Sequence, residues 1–203
     1  MKDGILPFRR QGGWTASHHL NYMAARYFRD AFAVSLDRLV RKERSLYGTG
    51  EHFEDEDLYV VSETGQERIE CLRDADACLL FSCIAIEGFL NYYGVRRMDE
   101  PFFKKNMERM GITEKLALVI AACCQKRLDE DDEILKEIRW LFDERNSLIH
   151  PKSKDIAHHA IEEFISEHPC KFLVEKYVAT LEAFVRFMHE IDPSISEWNL
   201  EAP

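Results

Sequence analysis

The sequence predicts an all-α fold, a bundle of four long helices with additional short helices. Only 9 of the 203 residues are Gly and 6 are Pro, fewer than a β-sandwich with many turns would need. Four long stretches repeat apolar residues at the three- and four-residue spacing of a helix. A chain of this length with 46% hydrophobic residues can bury one core. We therefore expect one bundle domain over residues 14–203, behind a flexible leader over residues 1–13.

The first long helix begins near Thr15 or Ser17, either of which could cap it, and no Gly or Pro interrupts it before Gly48. We expect an acidic loop over about residues 48–65, in which the "LYVV" segment could be a short extended piece. The first helix is predicted from apolar residues that recur at helical spacing, namely Leu20, Met23, Ala24, Tyr27, Phe28, Ala31, Val34 and Leu39.

The second long helix runs from about Gln66 to Tyr93 and is apolar almost all round, so we expect it at the centre of the bundle. Its most apolar run, residues 77–95, carries Glu87 near the middle and has polar flanks. A buried core helix explains this pattern better than a membrane span does. We therefore expect no membrane partner.

The remaining elements follow from local signals for helix starts and stops. A connector with a short helix ends at Gly111, and Thr113 could cap the helix after it. The third long helix runs from Asp132 to about His150, because the residue before Pro151 avoids the α region. The last long helix covers residues 171–191, after a segment that is either a short helix or a loop.

Charge and cysteine usage limit the function. A formal net charge of −10 disfavours avid, non-specific binding of nucleic acid, although a local phosphate-binding patch of Arg139, Lys152 and Lys154 remains open. None of the six cysteines forms a CxxC motif and there is no HExxH motif, so we expect no metal and no cofactor. Free cysteines and the lack of a signal-peptide pattern indicate a cytoplasmic protein.

Arg145 interrupts the apolar face of the third long helix. With Ile134 at the origin of a helical wheel, Arg145 lies at about 20°. A guanidinium on a buried face keeps its proton and therefore needs an acceptor. Glu87 of the central helix, with Asn91 four residues later, needs a partner for the same reason, so we predict a Glu87–Arg145 ion pair. The apolar sector around Arg145 consists of Ile134, Leu135, Ile138, Leu141, Phe142, Leu148 and Ile149.

His150 and Asn146 lie four residues apart, on one edge of the same face. Arg145 and His150 are about 140° apart on an ideal helix, so they converge only if the helix relaxes at its end, which Pro151 provides. The C-terminus of a helix favours a protonated imidazole. The pattern predicts a pair of cationic groups with an amide beside them.

The hexapeptide "RNSLIH", residues 145–150, resembles the R-x4-H signature of HEPN domains. The segment "IEGFLN", residues 86–91, resembles the helix with Glu and Asn that many such bundles place upstream, and Lys115 is similar to a lysine in some relatives. The resemblance covers roughly residues 68–187. It implies a bundle that forms a homodimer through the motif-bearing helices and, in active members, a metal-independent endoribonuclease. Toxin–antitoxin or phage-defence roles, with an antitoxin or nucleotidyltransferase partner, belong to the same expectation.

Carried over by position, the motif gives each residue a catalytic role in RNA cleavage. Arg145 would contact the scissile phosphate, His150 would transfer a proton as the 2′-hydroxyl attacks, and Asn146 would orient the phosphate or the histidine. One such histidine per chain is too few for a separate acid and base, and a two-fold dimer would supply two.

Two other functions remain open at this point. One is a non-catalytic HEPN-like dimeric module that binds a protein, a nucleotide or RNA, and the other is a structural dimerisation domain. In these cases the Glu87–Arg145 pair would only fix the register of two helices. His150 would be a helix C-cap, and Asn146 would satisfy the helix end.

Overall fold

The computed structural model describes residues 17–47, 56–150 and 168–195, and within these ranges the chain is helical, without a β-strand. The all-α bundle is therefore confirmed, with α1, α3, α6 and α7 as its four long helices. A 3-10 helix over Pro169–Lys171 precedes the last helix. The α-helices are α1 (His18–Tyr47), α2 (Glu56–Glu63), α3 (Gly65–Arg97), α4 (Glu100–Asn106), α5 (Ile112–Cys124), α6 (Glu133–Ile149) and α7 (Val174–Ile191).

Helix α3 is the central helix, as its apolar composition predicts. It packs against α1, α4, α5, α6 and α7, and its buried residues include Cys83, Ile86, Phe89 and Leu90. Among the described helices it alone is long and apolar enough to cross a membrane, but 56% of its apolar window is buried inside the bundle. That burial is typical of the core helix of a soluble protein.

Helix α1 is present, but the apolar residues whose spacing predicts it do not form its buried face. Leu20, Tyr27 and Val34 are exposed, and of that set only Leu39 is fully buried. Helix α1 is apolar on two sides, and its contact with α3 buries the other side. The side chains on the buried side are His18, Tyr22, Ala25, Phe32, Ser35 and Leu39.

Two further predictions about local structure need correction. Residues 56–63 of the predicted acidic loop form α2, so the "LYVV" segment is helical, and its Val60 is buried. Gly111, not Thr113, is the N-cap residue of α5. A Cβ at Gly111 would lie 2.3 Å from Glu114 Oε2, so the glycine leaves room for this carboxylate to fold back over the first turn, where a negative charge is favourable.

The leader over residues 1–13, the rest of the predicted loop over 48–55 and the segment over 151–167 lie outside the described residues. Lys152 and Lys154 belong to the last of these segments. Their predicted role in a phosphate-binding patch therefore stays a prediction.

Helix α6 keeps the predicted bounds, with Asp132 as N-cap and His150 as C-cap. Its predicted apolar sector is buried at Leu135, Ile138, Leu141 and Phe142, whereas Ile134 and Leu148 are partly buried against the core and Ile149 is 49% exposed. The last turn of α6 is therefore only partly buried, which leaves Asn146 and His150 exposed.

Candidate functional site

An open cleft of about 250 Å³ lies where the start of α5 faces α6, with Glu87 of α3 at its base. The motif residues Arg145 and Asn146 line this cleft, as does Arg139, the predicted phosphate ligand. The start of α5 contributes residues 110–114. The other side chains from α6 are Phe142 and Asp143.

Arg145 is held in the cleft by three neighbours. Its Nη1 lies 3.7 Å from Glu87 Oε2, its Nη2 donates a 2.9 Å hydrogen bond to Asn146 Oδ1, and its Cζ lies 4.6 Å from the ring centroid of Phe142. The predicted ion pair with Glu87 is present, but it is not buried, because 25% of the Arg145 side chain and 40% of the Glu87 side chain are exposed. This exposure leaves the guanidinium open to a ligand in the cleft.

Glu87 shares its carboxylate between two cations. Its Oε2 faces Arg145, and its Oε1 lies 3.5 Å from Nζ of Lys115, whose side chain is completely buried. Asn91, which the sequence predicts as a supporting residue, accepts a 3.0 Å hydrogen bond from the same ammonium group. The carbonyl oxygen of Glu108 accepts a third hydrogen bond from it, at 2.9 Å. Asn91 therefore supports Lys115 directly and Arg145 only through Glu87.

The sequence of α5 carries a signal for the buried lysine, because Lys115 lies in a stripe of apolar residues. Lys115, Val119 and Cys123 follow one another at i, i+4 and i+8, and all three are buried. A lysine in an apolar stripe needs hydrogen-bond acceptors from another element, as Arg145 does in the stripe of α6. Its three acceptors, however, come from α3 and from the α4–α5 connection, and the sequence of α5 does not indicate them.

His150 does not line the cleft with Arg145 and Asn146. It follows the last residue of α6, its backbone N–H donates a 2.9 Å hydrogen bond to the Asn146 carbonyl, and it is exposed. The structure thus brings together Arg145, Asn146, Arg139 and Glu87. It leaves His150 exposed and outside the lining of the cleft.

The charges of the cleft nearly balance. Arg139 and Arg145, with Lys115 beneath them, face the carboxylates of Glu87, Glu114 and Asp143. An anion would therefore be bound by direct contact with a guanidinium group and not by a positive field over the whole cleft. In the part of the chain that the structure describes, no three His, Cys, Asp or Glu residues are grouped so that they could hold a metal ion.

The buried cysteines do not supply a nucleophile. Burial raises the pKa of the thiols of Cys78, Cys83 and Cys123 to about 12, so all three are protonated near neutral pH. They are core residues, as is Cys124, the neighbour of Cys123. Cys170 is exposed.

Comparisons with known proteins give no relative: no protein-family model, no curated protein and no solved structure matches the chain. The fold and the site together define an all-α bundle with a polar cleft beside the end of one long helix. In this cleft an arginine and an asparagine from adjacent positions are held together.

Proposed function

We propose that the protein is a HEPN-like, metal-independent endoribonuclease that acts in the cytoplasm as a homodimer. The observation that carries the proposal is the placement of Arg145 and Asn146, the first two residues of the "RNSLIH" motif, in an open cleft with the guanidinium clamped by Glu87, Asn146 and Phe142. The resemblance adds toxin or phage-defence roles and an antitoxin or nucleotidyltransferase partner.

The proposed chemistry is an internal transesterification of RNA. The 2′-oxygen bonds to the adjacent phosphorus, the bond to the 5′-oxygen breaks, and a 2′,3′-cyclic phosphate remains. Arg145 stabilises the charge that develops on the phosphate, and Asn146 orients the phosphate or the histidine. A base removes the proton of the 2′-hydroxyl and an acid protonates the leaving 5′-oxygen, both of which suit imidazole near neutral pH.

A homodimer would supply both proton-transfer groups. Because His150 is exposed and lies outside the cleft of its own chain, the His150 of a second copy can approach the phosphate held at Arg145. A two-fold axis near the ends of the two α6 helices would give each site the same pair of groups.

The test is RNA cleavage by the purified protein in the presence of EDTA. We expect Arg145→Ala and His150→Ala each to lower the rate at least 100-fold, a typical effect of losing a catalytic charge or proton-transfer group. Arg41→Ala and His19→Ala, which change the same residue types on α1, serve as matched controls and should retain the wild-type rate. Cleavage that neither Arg145→Ala nor His150→Ala affects would show that the assigned site is wrong.

A second candidate function is a non-catalytic HEPN-like dimeric module that binds a protein, a nucleotide or RNA. The formal charge of −10 and the carboxylates of Glu114 and Asp143 in the cleft favour it, because both oppose tight binding of a polyanion. One experiment distinguishes the two functions. RNA that is bound in an Arg145-dependent manner but never cleaved, at any pH between 5 and 9, indicates the binding module.

A further inference from the structure

Beneath the cleft lies a buried cation that the motif does not include. The side chain of Lys115 has no exposed surface, and an ammonium group in such a place requires acceptors for its three hydrogens. The three acceptors are Glu87 Oε1 at 3.5 Å, Asn91 Oδ1 at 3.0 Å and the Glu108 carbonyl oxygen at 2.9 Å.

These acceptors come from two sides of the cleft. Glu87 and Asn91 belong to α3, at the base, whereas Glu108 belongs to the connection that leads to the cleft wall at residues 110–114. Lys115 itself lies in the first turns of α5. One ammonium group therefore ties the base of the cleft to one of its walls.

The same ammonium group also contacts the carboxylate that faces Arg145. The Arg145–Glu87 distance of 3.7 Å is that of an ion pair without a hydrogen bond. A carboxylate beside an arginine otherwise tends to form two parallel hydrogen bonds with it. That bidentate pair is absent here: one oxygen of Glu87 lies 3.5 Å from the Lys115 ammonium group, the other lies 3.7 Å from Arg145, and donors of Arg145 remain available to a ligand.

We propose that Lys115 is a positioning residue, whose ammonium group restrains Glu87 and thereby keeps the Arg145 guanidinium available to a phosphodiester of RNA. The proposal rests on the proposed function in one respect, that Arg145 holds a phosphate. Its structural part does not depend on catalysis. Without Lys115, Glu87 turns both oxygens to Arg145 and withdraws the guanidinium from the ligand.

The first experiment measures the affinity for a labelled, non-cleavable 2′-O-methyl RNA decamer of mixed sequence. Lys115→Met retains the length of the side chain and removes the charge, and we expect it to weaken binding at least tenfold. Adding Glu87→Gln should restore binding to within about threefold of wild type, because a neutral amide cannot form the bidentate ion pair. Lys104→Met, at an exposed lysine paired with Glu100, is the matched control and should bind as wild type does.

Rescue by the second substitution separates positioning from a merely structural role. Each variant is first shown by circular dichroism and urea unfolding to be folded under the conditions of the binding assay. If Lys115 only stabilised the fold, a folded Lys115→Met variant would bind the RNA as wild type does. Equal affinities for folded Lys115→Met and wild type would therefore overturn the proposal, as would a loss that Glu87→Gln does not restore.

A second measurement follows the guanidinium directly, by NMR of the arginine Nε–Hε groups. The Arg145 signal is assigned from its absence in Arg145→Lys. We expect it to shift in Lys115→Met, with the Arg139 signal unchanged, and an unmoved Arg145 signal contradicts the proposal. If the wild-type protein neither cleaves nor binds RNA, the proposed function fails, and the NMR result alone decides whether Lys115 positions Arg145.

Discussion

Replacing Asp192 with alanine removes the acceptor at the centre of a buried polar cluster that joins the end of α3 to the end of α7. Asp192 is 1% exposed and Arg97 is 3% exposed. The Oδ2 of Asp192 accepts hydrogen bonds from the Arg97 guanidinium and from the Tyr93 hydroxyl, the latter at 2.8 Å. Its Oδ1 accepts from the backbone N–H of Ser194 at 3.1 Å and from the Ser194 hydroxyl at 2.6 Å.

The cost of Asp192→Ala follows from what these donors lose. Breaking a buried ion pair by removing one partner costs about 3–5 kcal/mol, and a buried hydroxyl without an acceptor adds about 1–3 kcal/mol. Two contacts limit the loss, since Arg97 also donates to Ser194 Oγ at 2.7 Å and Cys124 Sγ lies 3.2 Å from the Tyr93 hydroxyl. We expect the free energy of unfolding to fall by about 4 kcal/mol. For Asp192→Asn, which retains the shape and loses the charge, we expect about 2 kcal/mol.

The assay is urea unfolding followed by circular dichroism at pH 7. Asp30→Ala is the matched control, because this carboxylate is 69% exposed in its pair with Arg29 and should change the free energy of unfolding by less than about 0.5 kcal/mol. If Asp192→Ala costs no more than Asp30→Ala, the burial of the cluster contributes nothing to stability and the reasoning is refuted.

Three further predictions concern the stability of the bundle, each measured by urea unfolding. Burial raises the thiol pKa of Cys78, Cys83 and Cys123 to about 12. The native state therefore holds protons that the unfolded chain releases above a pH of about 8.5. Stability should therefore be complete below that pH and fall as the pH rises toward 12, and a free energy of unfolding that is constant between pH 7 and 10.5 would contradict this. A Cβ at Gly94 would lie 2.2 Å from Phe103 Cε2, so Gly94→Ala should lower the free energy of unfolding by about 1–3 kcal/mol. Gly65→Ala, with no atom within 4 Å of the added Cβ, should instead raise it by about 0.4–1 kcal/mol. Equal effects of the two substitutions would show that Phe103 moves aside at no cost. Gln125 ends α5 with φ 54°, so Gln125→Gly should stabilise by about 1 kcal/mol, and a loss of stability would refute the strain at this position.

The helices that the sequence predicted best are those with local signals at their ends. Helix α6 begins after Asp132 and ends before His150, because the acidic residues at its start and the proline after its end act within a few residues of where they stand. The central position of α3 was equally predictable, since a helix that is apolar all round has to be buried on all sides. Helix α2 was missed, because its "EDLYVVSE" segment is short and its acidic flank resembles a solvated loop.

For the candidate site, the sequence identified the unusual residues but not their surroundings. Arg145 in the apolar stripe of α6 predicted a need for an acceptor, and Glu87 is one of its partners. The predicted burial of this ion pair was wrong, because both side chains line an open cleft and are partly exposed. The same type of signal at Lys115 marks the cation that is completely buried.

By itself, the sequence determined the all-α class, the start and end of α6 and the candidate residues Arg145, Asn146 and His150, because composition, caps and helical spacing are local properties. Only the tertiary structure decided which side of α1 is buried, that Glu87 is shared between Arg145 and Lys115, and that His150 stands outside the cleft. These features depend on which helices meet and at what depth. Local periodicity does not distinguish between two apolar faces of a helix, and the packing of the helices determines which face is buried.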